Sequence, residues 1–243
     1  MEQLSTAGPT RRWDLYEDIS LSRSTITRAV DSLEEVGWLT DEVGTVRLTP
    51  IGQFVIAELL ALVTSMETAQ DLSPFLDWFR LGEYDLEVED LCGGTITAIG
   101  EGDPHAPTRI QTELIQTTSR FRALFPSLDL EGTKLAHERM LNGEFEAEIV
   151  VPPEIETMIC SEQFARFYGD MCETGRLIIH VTDEVPFYLG LDDDARTQIG
   201  VEDDDGFPRA LFETTNRTVR SWGEALFSDY CRSASRQLTN ISL

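Results

Sequence analysis

The stretch LSRSTITRAVDSLEEVGWLTDEVGTVRLTPIG, Leu21 to Gly52, decides how the rest of the chain is read. Ser22 stands where an N-cap belongs, its hydroxyl offered to an orphan backbone N–H. Ile26, Ala29, Val30, Leu33 and Val36 follow at three-and-four spacing. That spacing predicts a helix with one buried stripe, closed by Gly37 as the left-handed residue after its last turn. Two short β-prone runs, Trp38 to Thr40 and Thr45 to Leu48, flank Asp41-Glu42-Val43-Gly44 and read as a hairpin. Thr49-Pro50 starts another helix, because the N–H that proline lacks has no intrahelical use at the first position. Upstream, the pattern from Arg11 is also helical and breaks near Ile19 and Ser20. Helix, short turn, helix, hairpin, helix is the order of a winged helix-turn-helix.

With Ile26, Val30 and Leu33 inward, Ser24 and Arg28 turn outward, flanked by Thr25 and Thr27. These residue types suit a major groove: arginine grips a guanine edge bidentately, and hydroxyls meet base edges or phosphate. Arg23 sits in the first turn beside free backbone N–H groups. Arg11 and Arg12 open the preceding helix, which in this motif crosses the DNA backbone, and Arg47 lies on the hairpin. The candidate DNA-contacting set is therefore Arg11, Arg12, Ser22, Arg23, Ser24, Thr25, Thr27, Arg28 and Arg47. Net charge is −25, yet the first 50 residues carry five arginines against nine acids, a net of −4. The competing reading pairs these arginines with Glu17, Asp18, Asp31 or Glu34.

Lys134 is the only lysine among 19 basic residues, set against 44 acids. An acidic surface with guanidinium as its cation suits concentrated salt, where screening removes self-repulsion, so a halophilic archaeal cytoplasm is expected. No unbroken run of about 18 apolar residues and no apolar leader stand out, so neither a membrane span nor a signal peptide is expected. Cys92, Cys160, Cys172 and Cys231 form no CxxC pair, and His105, His137 and His180 lie far apart in sequence, so no metal site and no cofactor are expected.

Beyond Pro50, Ile51 to Met66 carries a broader apolar stripe than one small core needs; the surplus face fits a homodimer contact or packing on the next domain. Asp71 to Gly82 reads as a short helix and Glu83 to Pro107 as a connector. Helical periodicity from Arg109 extends through Phe121 and Leu124. Then come a helix at 135–141, a strand at 145–151, a helix at 153–172, strands at 176–181, 187–191, 198–201 and 209–213, and a helix at 219–234. The fold class is α+β. Residues 1–70 form the winged helix with an extension helix, 71–108 a helical linker, and 109–243 a mixed α/β domain.

The Leu21–Gly52 stretch resembles the recognition helix and wing of archaeal winged-helix transcription regulators, in which S-R-S-T-V/I-x-R-A-L/V-x-x-L-E-E-x-G and L-T-P-x-G recur. Glu146 to Glu154, Tyr188 to Leu191, Gln198 to Val201 and Asp205 to Leu211 resemble the effector domain of regulators grouped with the methanogenesis regulatory protein middle domain. The resemblance implies a DNA-binding regulator with Ser22 to Arg28 in the groove and Arg47 on the wing. Such regulators generally have a complete first helix; here only Met1 to Thr6 precedes Ala7-Gly8-Pro9.

The resemblance also implies a phospholipase D-like fold for the second half, but the H-x-K of that chemistry is absent, as are a G-x-S-x-G elbow and a P-loop. The triplets Asp192 to Asp194 and Asp203 to Asp205 lack the ligand spacing of a calcium loop and read as solvated turns. No catalytic residue is assigned. A small-molecule effector is expected at a sheet end, with Tyr188, Arg209 and His180 as candidate lining groups. The expectation is a cytoplasmic, dimeric, sequence-specific regulator acting on double-stranded DNA. The alternatives are a winged-helix protein-interaction module without specific DNA binding and, third, a phosphodiesterase-like hydrolase.

Overall fold

The chain divides into two units, Met1–Gln70 and Asp71–Leu243, and the computed structural model describes residues 2–100 and 102–238 of them. The first unit opens with α1 (Glu2–Ala7), β1 (Thr10–Arg11), α2 (Arg12–Asp18) and α3 (Arg23–Glu35). β2 (Leu39–Glu42), β3 (Thr45–Leu48) and the start of α4 (Pro50–Leu76) complete it. The first helix is short, as expected, yet Leu4 from it is buried with Leu15, Ile26, Val30, Leu39 and Val46 in the core of this unit. Ser22 caps α3 by accepting from the Thr25 N–H at 3.2 Å, and Gly37 follows the helix at φ 74°. β1, β3 and β2 form an antiparallel sheet whose hairpin turn places both Val43 and Gly44 at positive φ. That turn matches the twist of its strands but strains a β-branched residue.

The L-T-P-x-G motif acquires a physical reason here. Thr49 Oγ1 donates to Gly37 O at 2.7 Å and accepts from the Gly52 N–H at 3.0 Å, tying the end of α3 to the start of α4. A side chain at position 52 would place its Cβ 1.9 Å from the Trp38 carbonyl oxygen, so only glycine lets α4 approach this closely.

α4 runs unbroken for 27 residues and absorbs the first half of the separate helix expected at 71–82. By length and composition it is long and apolar enough to cross a membrane, although Glu58 and Glu67 interrupt its apolar run. Its middle is exposed, including Phe54 (62%), Leu62 (58%) and Met66 (64%).

In the second unit, α5 (Val88–Leu91), β4 (Thr95–Ala98), α6 (Ala106–Thr117), β5 (Arg120–Leu124) and α7 (Leu130–Leu141) come first. β6 (Glu146–Val151), α8 (Pro153–Ile159), α9 (Ala165–Glu173), β7 (Leu177–Val181), β8 (Tyr188–Leu191) and β9 (Thr197–Glu202) follow. β10 (Pro208–Thr214), α10 (Arg217–Ser233) and β11 (Arg236–Leu238) close it. Eight strands lie in the order β11-β7-β6-β5-β8-β9-β10-β4, with β5, β6 and β7 mutually parallel and the other pairings antiparallel. One face buries Phe121, Ile149, Ile179 and Tyr188 against α6 to α9; the other buries Val150, Leu189, Ile199 and Phe212 against α5, α10 and the end of α4.

Three expectations change. The stretch 71–108 is built into the second unit: Phe75, Phe79, Leu86 and Leu91 are buried in its core and β4 is an edge strand of its sheet. The helix expected through Leu124 stops at Thr117, and Arg120–Leu124 is a central strand. The hydroxyls of Thr118 and Ser119 donate to the Asp193 carboxylate, which breaks the helix and leaves Phe121 and Ala123 on one face and Leu124 on the other. The single helix expected over 153–172 is two, α8 and α9.

Candidate nucleic-acid interface and effector cavity

On α3, Ile26 and Val30 face inward, while Ser24, Thr25, Arg23 and Arg28 are exposed, the orientation that the apolar spacing requires. Arg28 donates from Nε to Ser24 O at 3.3 Å and makes no ion pair among the described residues. Arg23 lies over the Trp13 ring at 4.5 Å and near the Tyr16 ring at 5.8 Å, and it too lacks a carboxylate partner there. A stacked guanidinium keeps its N–H edge for another acceptor. Arg11, exposed on β1, is likewise without an ion pair among the described residues. Ser22 spends its oxygen on the cap and lies within hydrogen-bond distance of the Ser24 and Thr25 hydroxyls.

Three members of the expected set are engaged differently. Arg12 donates to Asp31 at 2.7 Å and holds Asp41 at 3.1 Å from Nε, an ion pair without hydrogen-bond alignment. Burial lowers the pKa of this guanidinium, but the two carboxylates outweigh it and the net direction is up. Arg12 thus braces α2, α3 and the hairpin and neutralises an acid on α3. Thr27 is half-buried, 3.0 Å from the Tyr16 hydroxyl, so it faces α2. Arg47 carries an exposed ion pair with Glu42 at 3.3 Å, which a phosphate can replace at small cost because such pairs are weak.

The second unit holds a cavity of about 370 Å³ beneath α6 and α7, on the sheet face that carries Phe121, Ala147 and Ile149. None of the expected lining residues reaches it. Tyr188 is buried and donates to Gln198 Oε1 at 3.0 Å; its side chain packs against Gly200, where a Cβ would stand 3.1 Å from it, and burial raises its pKa. Arg209 sits at a β-bulge, 3.0 Å from Asp203 and over the Trp78 ring at 5.0 Å. β9 separates β8 from β10, so Tyr188 and Arg209 are not on neighbouring strands. His180 faces α10, on the side of the sheet away from Tyr188, with Nε2 2.8 Å from Glu148 Oε1. The actual lining combines His105, Asp129 and Tyr168 with residues such as Gln111, Thr112 and Ala136, and no motif or spacing in the sequence marks them as a set.

His180 and Glu148 also meet Cys231 of α10, their ligand atoms all within 4.8 Å of one another. This trio was missed because its members lie on three separate elements. It has the donor types to hold a soft divalent cation with one position open. The arrangement also stands without an ion: the imidazole and carboxylate satisfy each other, and burial, aided by Glu148, pushes the Cys231 thiol up to about 12, keeping it protonated. The acidic triplets are turns with solvated tips, since Asp193, Asp194, Asp204 and Asp205 are exposed, and they are also braced. Asp192 is 4% exposed and accepts from the Arg196 N–H, and the Thr118 and Ser119 hydroxyls hold Asp193 down to about 2. Asp203 accepts from the Asp205 and Phe207 N–H groups.

The family profile described as methanogenesis regulatory protein FilR1, middle domain, matches residues 104–233, and that of the HVO_A0261 N-terminal domain matches residues 1–71. No curated protein sequence matches the chain. Among solved structures it is similar to TrmBL2, titled an archaeal chromatin protein with a novel mode of DNA binding, at 10% identity, 96% coverage of this chain, 90% of that one and a TM-score of 0.46. It is similar to Nuc, a phospholipase D family member from Salmonella typhimurium, at 11% identity, 60% and 97% coverage and TM-score 0.46. NucT from Helicobacter pylori matches at 9% identity, 58% and 96% coverage and TM-score 0.46.

Proposed function

The chain belongs to the family of the methanogenesis regulatory protein FilR1 middle domain, and from that premise we propose a dimeric transcription regulator that reads double-stranded DNA with α3 and answers to a small ligand in its second unit. The observation that carries the DNA reading is the state of Arg23 and Arg28. Both are exposed on the polar side of α3 and neither is paired with a carboxylate among the described residues, in a chain with 44 acids. Arg28, Ser24 and Thr25 meet base edges, Arg23 and Arg11 meet phosphate, and Arg47 exchanges Glu42 for a phosphate at the wing. Arg12 acts from behind, by neutralising Asp31.

The exposed apolar residues Phe54, Leu59, Leu62 and Met66 of α4 support a dimer of two copies, since a soluble monomer rarely shows so long an apolar stripe. The acidic, almost lysine-free surface supports a salt-rich archaeal cytoplasm, where counterion release contributes little and specificity rests on base edges and DNA shape.

Selection of bound duplexes from a random library, in molar KCl, tests this. Wild type is expected to enrich a motif of two-fold symmetry, and Arg28→Ala to relax one base pair per half-site, a loss of about 1–3 kcal/mol of discrimination. No enriched motif, together with unchanged binding by the variant, overturns the reading in favour of a protein-interaction module.

A further inference from the structure

We propose that the cavity beneath α6 and α7 takes a neutral, largely apolar small molecule bearing a hydroxyl or amide N–H at one end, and that it rejects carboxylated and phosphorylated metabolites. The inference deepens the effector reading above and rests on it only for the consequence to DNA binding. At about 370 Å³ the space is of ligand size, whereas native cores leave few voids larger than a water molecule. Its walls are mainly hydrocarbon and aromatic, from Phe121, Phe145 and Leu128 among others.

Charge decides the class. No lysine or arginine lines the cavity, and the nearby cations are spent elsewhere. Arg139 of α7 donates to the Ile115 and Thr118 carbonyls, Lys134 pairs with Glu131 at 2.7 Å, and Arg209 with Asp203. The one carboxylate on the wall, Asp129, caps α7 by accepting from the Glu131 and Gly132 N–H groups. Just before the lining residues Gly206 to Pro208, the Asp203–Asp205 turn adds further negative charge. An anion buried here would lose its hydration with no lysine or arginine to meet it, and the one basic group on the wall, His105, is itself exposed.

The hydrogen-bonding inventory sharpens this. Thr112 Oγ1 donates to Thr108 O at 3.0 Å and Thr133 Oγ1 to Asp129 O at 2.7 Å, so both protons are used and only lone pairs remain. These two hydroxyls can only accept, so they pair with a ligand that donates, and an ionised carboxylate or phosphate donates nothing to them. The donors on the wall are Gln111, Tyr168 and His105, which a neutral ligand's oxygen can also meet.

A matched pair of probes tests the proposal on the full chain without DNA: N-phenyl-1-naphthylamine, which is neutral and carries an N–H, and 1-anilinonaphthalene-8-sulfonate, the same skeleton with an anionic group. The neutral probe is expected to saturate at one per chain and the sulfonate to bind on the order of 10-fold more weakly. Ala136→Phe, which fills the cavity from α7, is expected to abolish neutral-probe binding. Thr108→Arg, which adds a guanidinium to the wall, is expected to raise sulfonate affinity about fivefold. Equal affinity for the two probes, no saturable binding of the neutral one, or an affinity for it that a folded Ala136→Phe leaves intact overturns the proposal. If Ala136→Phe does not fold, Thr108→Arg decides: an unchanged probe ratio overturns it. Failure here leaves the operator selection standing, and failure of that selection leaves the probe result standing.

Discussion

In the first unit Arg11, Arg23 and Arg28 make no ion pair among the described residues and two arginines do, whereas in the second Arg122, Arg139, Arg196, Arg209, Arg220 and Arg236 are among those held by a carboxylate and the exposed Arg166, Arg176 and Arg217 are the ones without an ion pair there. Arg220 shows what the second unit does with a guanidinium: it donates to the Asp192 and Arg196 carbonyls and to Glu224, stitching α10 to the β8–β9 turn. Arginine there is a brace inside a doubly covered sheet. In the first unit one arginine, Arg12, is a brace; Arg47 carries a weak exposed pair with Glu42, Arg23 lies over Trp13, and Arg11 and Arg28 are exposed without an ion pair among the described residues. Exposed pairs are weak, so the difference concerns availability to a ligand more than stability. The cores differ as well: among the described residues one cluster of six buried apolar side chains holds the first unit, while two large clusters hold the second.

That contrast can be broken most forcefully at Gly52. Gly52→Ala pushes a methyl into the Trp38 carbonyl and is expected to cost on the order of 3 kcal/mol or more, melting the first unit while the sheet of the second persists. Hydrogen exchange resolved along the chain checks this; uniform protection loss would mean the units unfold together. Next in size, Leu62→Glu places a charge in the apolar stripe of α4 and is expected to weaken self-association by about 2 kcal/mol or more, read as a shift to monomer in analytical ultracentrifugation. An unshifted dimer, or recovery of the wild-type chain with membranes, moves the contact elsewhere.

A smaller effect tests the bracing of the second unit. Hydroxyl donors lower the Asp193 pKa from 3.8 to about 2, so its ionised form stabilises the fold above about pH 4, and that contribution fades as pH falls through about 2. Asp193→Asn is therefore expected to lower Tm by a few degrees at neutral pH, with the gap closing in acid; a pH-independent gap would mean the charge is irrelevant. The smallest change is a gain. Val43 holds φ 56° in the hairpin turn, and Val43→Asn supplies the residue that this turn favours, stabilising the first unit by at most about 1 kcal/mol in thermal unfolding.

The reading of Leu21 to Gly52 anticipates a cap, a buried stripe, a left-handed stop and a hairpin because each is local, the farthest partners, Leu39 and Leu48, being nine residues apart. β5 was misread for the complementary reason. Phe121 and Leu124, three apart, fit a helical period although the strand puts them on opposite faces, and the deciding contact is made to Ser119 by Asp193, 74 residues further on. Arg12 looked like a phosphate contact until Asp31 and Asp41 were brought beside it. The ligand candidates Tyr188, Arg209 and His180 stand out for their polar chemistry, and each is already engaged by another side chain, Gln198, Asp203 and Glu148 respectively.

The sequence alone therefore determined the elements of the first unit, the polar side of α3 and the charge balance, since these follow from local periodicity and composition. Only the tertiary structure decided which arginines remain unpaired, which sheet face carries the cavity and what lines it. Those are matters of partners distant in the chain, and local spacing holds no information about them.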